Sequence, residues 1–301
     1  MKKIIIFFLI LLTAITFIPA FADDDDDNDD ESSGVPRQQI FHVYDDVDLL
    51  PTTKMRYGKY KMVIKTIYPR LVSDDQKHDE TVDAFNLMVQ TILQDEVDQF
   101  TKQVADNQPY EKNLPKGTDW KNEMTIDFDS STVNTTDNPL ISVRFSIEGY
   151  TAGMAHPYHR HRVLNFNLGN GQTVELADLF QPSANYLQIL ADYSRKILVK
   201  RLKELNDPQK IEQGIAPMAD NYKNWNLNPD GLLITFDEIQ VAPYVYGAQK
   251  VLVPYAILIP IMAPNSPIAE CLKRQKKCLN NHLLTGGFME EAATQSTSVA
   301  M

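Results

Sequence analysis

Three histidines fall within six residues in His156-Pro157-Tyr158-His159-Arg160-His161. Imidazole nitrogens ligate zinc and copper, so His156, His159 and His161 form a candidate metal set. On a strand, His159 and His161 share one face, and His156 sits in the turn before it. Arg160 and Arg162 bring positive charge beside them, and no acid or cysteine lies close in sequence. Zinc also needs a fourth protein ligand or an open water position. A polar loop entering a strand explains the same residues and is the favoured reading.

Other chemistry finds less support. Thr235-Phe236-Asp237-Glu238 matches the metal-binding aspartate motif of polysaccharide deacetylases in four letters, but the paired-histidine motif those enzymes require is missing. No Gly-x-Ser-x-Gly elbow occurs. Carboxylate pairs are abundant in any acidic chain and decide nothing. The expectation is a protein without catalytic residues and without a cofactor.

The segment Ile239-Gln240-Val241-Ala242-Pro243-Tyr244-Val245-Tyr246-Gly247 differs in kind. Tyrosines offer large, stiff contact area with a polar tip, which suits recognition. Equally, one tyrosine can pack across a sheet edge while Gly247 permits the turn. Both readings stand. Cys271 and Cys278, the two cysteines, bracket a short basic loop, and an oxidising compartment favours a disulfide between them.

The elements that would position these residues follow from periodicity. Tyr57 to Tyr68 alternates like a strand stopped at Pro69. Glu80 to Ala105 carries Val82, Phe85, Val89, Leu93, Val97, Phe100 and Val104 at helical spacing. Met124 to Phe128 and Leu140 to Ile147 read as strands, as does Val163 to Leu168 before a Gly-Asn-Gly turn. Ala184 to Leu205 is a second amphipathic helix. Asn228-Pro229-Asp230-Gly231 turns the chain into the strand Leu232 to Phe236, and Val251 to Leu258 is a last extended piece. The fold expected is α+β: two small antiparallel sheets, each packed against a long helix.

Lys2 and Lys3, an apolar run from Ile4, Pro19 and Ala20-Phe21-Ala22 form a secretory signal peptide, with cleavage expected after Ala22. Its apolar run is short for a retained span. Residues 23–31 are nearly all acids and read as a solvated leader rather than a calcium site, because they lack glycine and ligand spacing. The chain then divides as signal peptide 1–22, acidic leader 23–50, subdomains 51–150 and 151–285, and a frayed tail 286–301. The formal net charge is −11, and no basic stripe with interleaved aromatics suggests nucleic acid. Export to the periplasm or medium is expected, with no stable membrane insertion afterwards.

Several ordered blocks carry a family resemblance. They are Gly153-Met154-Ala155-His156, Leu164-Asn165-Phe166-Asn167-Leu168 and Leu176-Ala177-Asp178-Leu179-Phe180, followed by Asp230 to Phe236, Val241 to Gly247 and Val253-Pro254-Tyr255. This pattern resembles the extracytoplasmic domain of RsiV-type anti-sigma factors, also found ahead of the catalytic domain in PdaC-type peptidoglycan deacetylases. Tyr60 to Phe100 resembles the partner domain that precedes it. Met154 stands where the family commonly shows glycine. The chain lacks the sigma-binding and deacetylase parts, so the resemblance implies a binding module alone. In the anti-sigma factor this module binds lysozyme, which implies a lysozyme-like protein or peptidoglycan as ligand. The residues expected to hold it are Pro243, Tyr244, Tyr246, Gly247, Gly153 and His156. A metal-dependent envelope hydrolase using the three histidines is the alternative.

Overall fold

The computed structural model describes residues 40–74, 76–111, 120–134, 139–205, 207–273 and 279–282. The signal peptide, the acidic run, Cys278 and the tail from residue 286 lie outside the described residues. Residues from Gln38 onward form one compact unit. Its described strands make two sheets.

The larger sheet starts with β1 (Phe41–Tyr44), β2 (Val47–Gly58) and β3 (Met62–Ser73). Helix α1 (Asp79–Glu111) then crosses back, and β4 (Asn122–Val133), β5 (Leu140–Tyr150), β6 (Tyr158–Asn167) and β7 (Gln172–Thr173) follow in order. Neighbours are antiparallel except β3 and β4, which run parallel from Met62↔Asn122 to Thr66↔Ile126. The helical crossover imposes this: it returns the chain to the end where β3 began. The expectation of a small antiparallel first sheet is thereby corrected to a large mixed one. The expected strand Val163 to Leu168 also joins this sheet: as far as Asn167 it is part of β6, in a hairpin with β5.

Pro69 does not stop its strand. It sits opposite Pro51 inside the β2–β3 pairing, beyond the last β4 contact at Thr66, so no ladder bond needs its missing N–H on that open side. The turn falls earlier, and Tyr57 belongs to β2.

The smaller sheet is antiparallel, with β9 (Gly231–Phe236) between β8 (Trp225–Asn228) and β10 (Gln249–Pro254). A Cβ on Gly231 would lie 2.3 Å from the Val253 carbonyl oxygen, so the close approach of β10 admits glycine alone at the start of β9. Helix α2 (Tyr186–Arg201) lays Leu190, Ala191 and Leu198 into the core with Ile234, Phe236, Val251 and Val253. Helix α3 (Pro208–Gly214) opens with Pro208 and is capped by Asp207, which accepts from the Lys210 N–H. The last extended piece ends at Pro254, and Tyr255–Leu258 is a helical turn, α4. Helix α5 (Ala269–Lys273) holds the buried Cys271 and ends before Cys278. Strand β11 (Leu279–His282) pairs with the second half of β4.

Alternation explains how the sheets stack. Met124, Ile126 and Phe128 of β4 share a face with Val143, Phe145 and Ile147 of β5, and α1 covers it with Phe85, Val89, Leu93, Val97 and Phe100. On the opposite face Asp129, Ser131, Ser142, Arg144 and Asn165 lie under β8 and β9. Ser131 donates to the Leu227 carbonyl (2.5 Å), and Ser142 accepts from the Leu227 N–H (3.1 Å) and donates to Asn165 (2.5 Å). Asn165 in turn donates to the Trp225 carbonyl (3.0 Å). Arg144 pairs with Asp129 at 2.9 Å, both buried. Burial pushes the Asp129 carboxyl up to about 6 against the pull of Arg144. Along β4, β5 and β6 one face of the large sheet is therefore an apolar core, and the other carries a buried polar seam.

Candidate functional site

Strand β6 faces both ways. Tyr158, Arg160 and Arg162 point toward α1, where Arg160 and Arg162 (3.1 Å) both donate to Glu96, a carboxylate 1% exposed. The Tyr158 ring lies across Gly149 of β5, where a Cβ would come within 2.3 Å of it. The arginines that crowd the histidines in sequence are thus on the other side of the sheet, sharing the Glu96 carboxylate.

His159 and His161 face the smaller sheet. The His161 ring Nδ1 lies 2.7 Å from Asp237, and its backbone N–H donates to the same oxygen at 3.1 Å. Burial, the largest influence, holds the His161 pKa below its ordinary value, with Asp237 pulling the other way. His159 repeats the pattern two residues earlier: its Nδ1 is 2.8 Å from Glu238 and its backbone N–H donates to Glu238 at 2.9 Å. Glu148 approaches the other His159 nitrogen at 3.5 Å. Strand periodicity places both histidines on one face, and the adjacent acids after β9 answer them in register.

His156 does something different. It stacks on Tyr244, ring centroids 3.7 Å apart and planes 23° from parallel, while the Tyr244 hydroxyl donates to the Pro157 carbonyl at 2.8 Å. The three histidines therefore take three separate partners and do not bring their ring nitrogens to one point. Among the described residues, the converging set is Asp45, Asp46 and His78, at the β1–β2 turn and the approach to α1. The alternative metal set His156, His159 and His161 is thus not assembled by these contacts.

These contacts anchor the loop after β9 at both ends. Asp237 also accepts from Asn224 (2.9 Å), and Gln240 accepts from the Asp237 N–H while donating to the carbonyls of Gly214 and Asn221. Val241 and Ala242 are buried. Between Asp237 and Gln240, Ile239 has φ +68, a left-handed conformation costly for a β-branched residue, and is 56% exposed. Pro243 leads into one 3-10 turn, Tyr244–Tyr246, closed by Gly247 at φ +61 and ψ −169. No atom within 4 Å would meet a Cβ there, so backbone conformation alone calls for glycine.

The expected ligand residues divide in two. Tyr244 and His156 are joined to each other, and Tyr244 acts as a pin. Tyr246 is partly exposed, and Val245, which sequence reasoning passed over, is 84% exposed. An apolar residue at the crown of a loop is the signal that could have found it. Gly153, with φ +94, makes the turn in which the Met154 N–H donates to the Thr151 carbonyl. Met154 itself keeps an ordinary φ, so the departure from the family pattern requires no strained backbone. Its sulfur accepts from Gln103 at 3.4 Å beside an open groove of about 420 Å³ between α1 and this turn.

Comparison with known proteins agrees with this architecture. Residues 177–256 match the model of DUF3298, a family of proteins of unknown function. Over 167 residues the chain is 23% identical to peptidoglycan-N-acetylmuramic acid deacetylase PdaC of Bacillus subtilis (strain 168), covering 56% of this chain and 34% of PdaC. The chain thus spans about a third of that relative's length. A crystal structure of a DUF3298 family member from Bacteroides fragilis aligns with a TM-score of 0.53 at 19% identity, covering 76% of this chain and 97% of that one. A DUF3298 protein from Pseudomonas aeruginosa PAO1 aligns at a TM-score of 0.46 and 15% identity, over 73% and 94%. The chain carries a DUF3298 domain at residues 177–256, within a fold shared by a solved member of that family and with distant sequence similarity to PdaC.

Proposed function

We propose that this protein is a non-enzymatic binding module of the cell envelope, and that it recognises peptidoglycan through the crown of the loop after β9. The supporting observation is the pre-set loop: Val245 is 84% exposed while Tyr244, Asp237 and Glu238 hold the segment on β6. Rigid presentation lowers the entropy lost on binding, which favours recognition by a few exposed residues. PdaC acts on peptidoglycan, and sequence similarity to it makes the same polymer the first ligand to consider. No helix among the described residues is long and apolar enough to cross a membrane.

A lysozyme-like protein is the second reading. Glu148, exposed beside His159, lies next to the loop, and basic proteins are attracted to such carboxylates.

The test is a pull-down of the exported protein with insoluble peptidoglycan and, separately, with lysozyme, in about 150 mM salt. Retention on the wall polymer, lost on Val245→Asp and Tyr246→Ala, supports the first reading. Retention by lysozyme alone transfers the function to the second. Binding to neither, or binding unaffected by both substitutions, removes the loop from the proposal.

A further inference from the structure

From Leu49 to Ser73 the chain holds six cations in 25 residues and no acid, although its formal net charge is −11. Five of the six, Lys54, Arg56, Lys59, Lys61 and Lys65, gather at the end where β2 turns into β3. Lys54, Lys59 and Lys65 are exposed and form no ion pair among the described residues. Arg56 bonds the neutral side chain of Gln94 at 3.4 Å. Lys61 lies 5.1 Å from the centre of the Trp120 ring. Interleaved with the cations are exposed apolar groups, Tyr57 (77% exposed) with Met55 and Tyr60, so the chain does hold one local basic stretch with aromatics, contrary to the expectation from its overall acidic balance.

The turn is also preset. Tyr60 and Lys61 both adopt positive φ, +62 and +51, without being glycine. Buried Asn122 holds them there, its side chain donating to the Tyr60 carbonyl at 2.7 Å and its backbone N–H to the Lys61 carbonyl at 3.2 Å. Left-handed non-glycine residues persist where the surroundings over-determine them, and such places are often used. Protection of an open strand edge accounts for Pro51 and Lys54, since β1 pairs with β2 only as far as Leu49. It does not account for two lysines in the turn or for an exposed tyrosine beside them.

We propose that this hairpin end is a docking surface for an anionic phospholipid membrane. Basic side chains are drawn to a negatively charged leaflet, and no carboxylate in this stretch opposes them. Tyrosine suits the headgroup layer, where its ring meets the acyl boundary and its hydroxyl stays wet. A soluble polyanion would need the charges alone, whereas a lipid interface uses the cations and the interleaved Tyr57, Tyr60 and Met55 together. Contact is peripheral and reversible, and it leaves the loop at Val245 available to a separate ligand.

The test is sedimentation of the exported protein with phosphatidylcholine vesicles, with and without about 30 mol% phosphatidylglycerol, in about 150 mM salt. The expected result is binding to the anionic vesicles only. It should weaken about tenfold or more in the triple variant Lys54→Glu, Lys59→Glu, Lys65→Glu, and measurably in Tyr57→Ser. Each variant keeps the wild-type termini, so the difference reports the hairpin, and unchanged thermal melting verifies the fold. Absence of wild-type binding, equal binding to neutral vesicles, or full binding by the triple variant would overturn the proposal. Val245→Asp should bind vesicles like wild type, which separates this surface from the peptidoglycan loop.

Discussion

The His161 ring meets Asp237 at 2.7 Å across 76 residues of sequence, joining the first half of β6 to the end of β9. With Glu238 on His159, this contact stitches the larger sheet to the loop that carries Val245. The two histidines work here as fasteners between sheets.

That role gives a pH dependence. Burial holds the His161 pKa below the ordinary 6.5, so the folded protein keeps the ring neutral where an unfolded chain would already be protonated. Its stabilising contribution is complete above pH 6.5 and is lost as pH falls from there toward the folded value. Urea melts between pH 7.5 and 5.5 should show stability falling on acidification. His161→Asn, which can still donate to Asp237 but does not titrate, should flatten that fall; an unchanged slope would remove His161 as its source.

The buried pair Arg144–Asp129 predicts a cycle of its own. Both side chains lie in the polar seam between the sheets, 2.9 Å apart. Arg144→Met strands a buried carboxyl and should cost about 3–5 kcal/mol in chemical denaturation. The double variant Asp129→Leu, Arg144→Met removes both charges and should recover most of that loss. A double variant as unstable as the single one would mean that the seam requires the charges themselves.

How far such relationships can be read from sequence depends on the range of the contact. Helix α1 was legible because Phe85, Val89, Val97, Phe100 and Val104 recur at helical spacing, and all are buried. The loop at Pro243 to Gly247 was legible because tyrosine, proline and glycine cluster there. The β3–β4 pairing was hidden, since a strand's own alternation says nothing of whether its neighbour runs parallel. The partners of His159 and His161 were hidden for the same reason: their carboxylates lie 79 and 76 residues away, so a search near His156 finds only arginines. Ile239 gives no local sign of its left-handed backbone, because the bonds of Asp237 and Gln240 impose it from outside.

Glu96 tests the other face of β6. Its carboxylate is 1% exposed and accepts from both Arg160 and Arg162, which are themselves partly exposed. Glu96→Gln should cost about 1–3 kcal/mol, because the buried charge-assisted bonds weaken while the arginines can turn to water. Equilibrium urea denaturation reads this directly. A loss below about 0.5 kcal/mol would place Glu96 among exposed pairs of little consequence.

Gly247 separates conformation from contact within the proposed binding loop. A Cβ there would touch nothing, yet φ +61 with ψ −169 lies in a region that only glycine occupies readily. Gly247→Ala should therefore cost on the order of 1–3 kcal/mol or shift the loop, and weaken peptidoglycan retention without removing any contact group. Tyr244→Phe should act more gently, because the ring still stacks on His156 and only the bond to the Pro157 carbonyl is lost. Val245→Asp should leave melting unchanged and abolish retention. If Gly247→Ala weakens retention as Val245→Asp does while only the former lowers the melting point, loop geometry and loop contact are both required. If Gly247→Ala binds normally, the preset loop is dispensable and recognition rests on the exposed side chains alone.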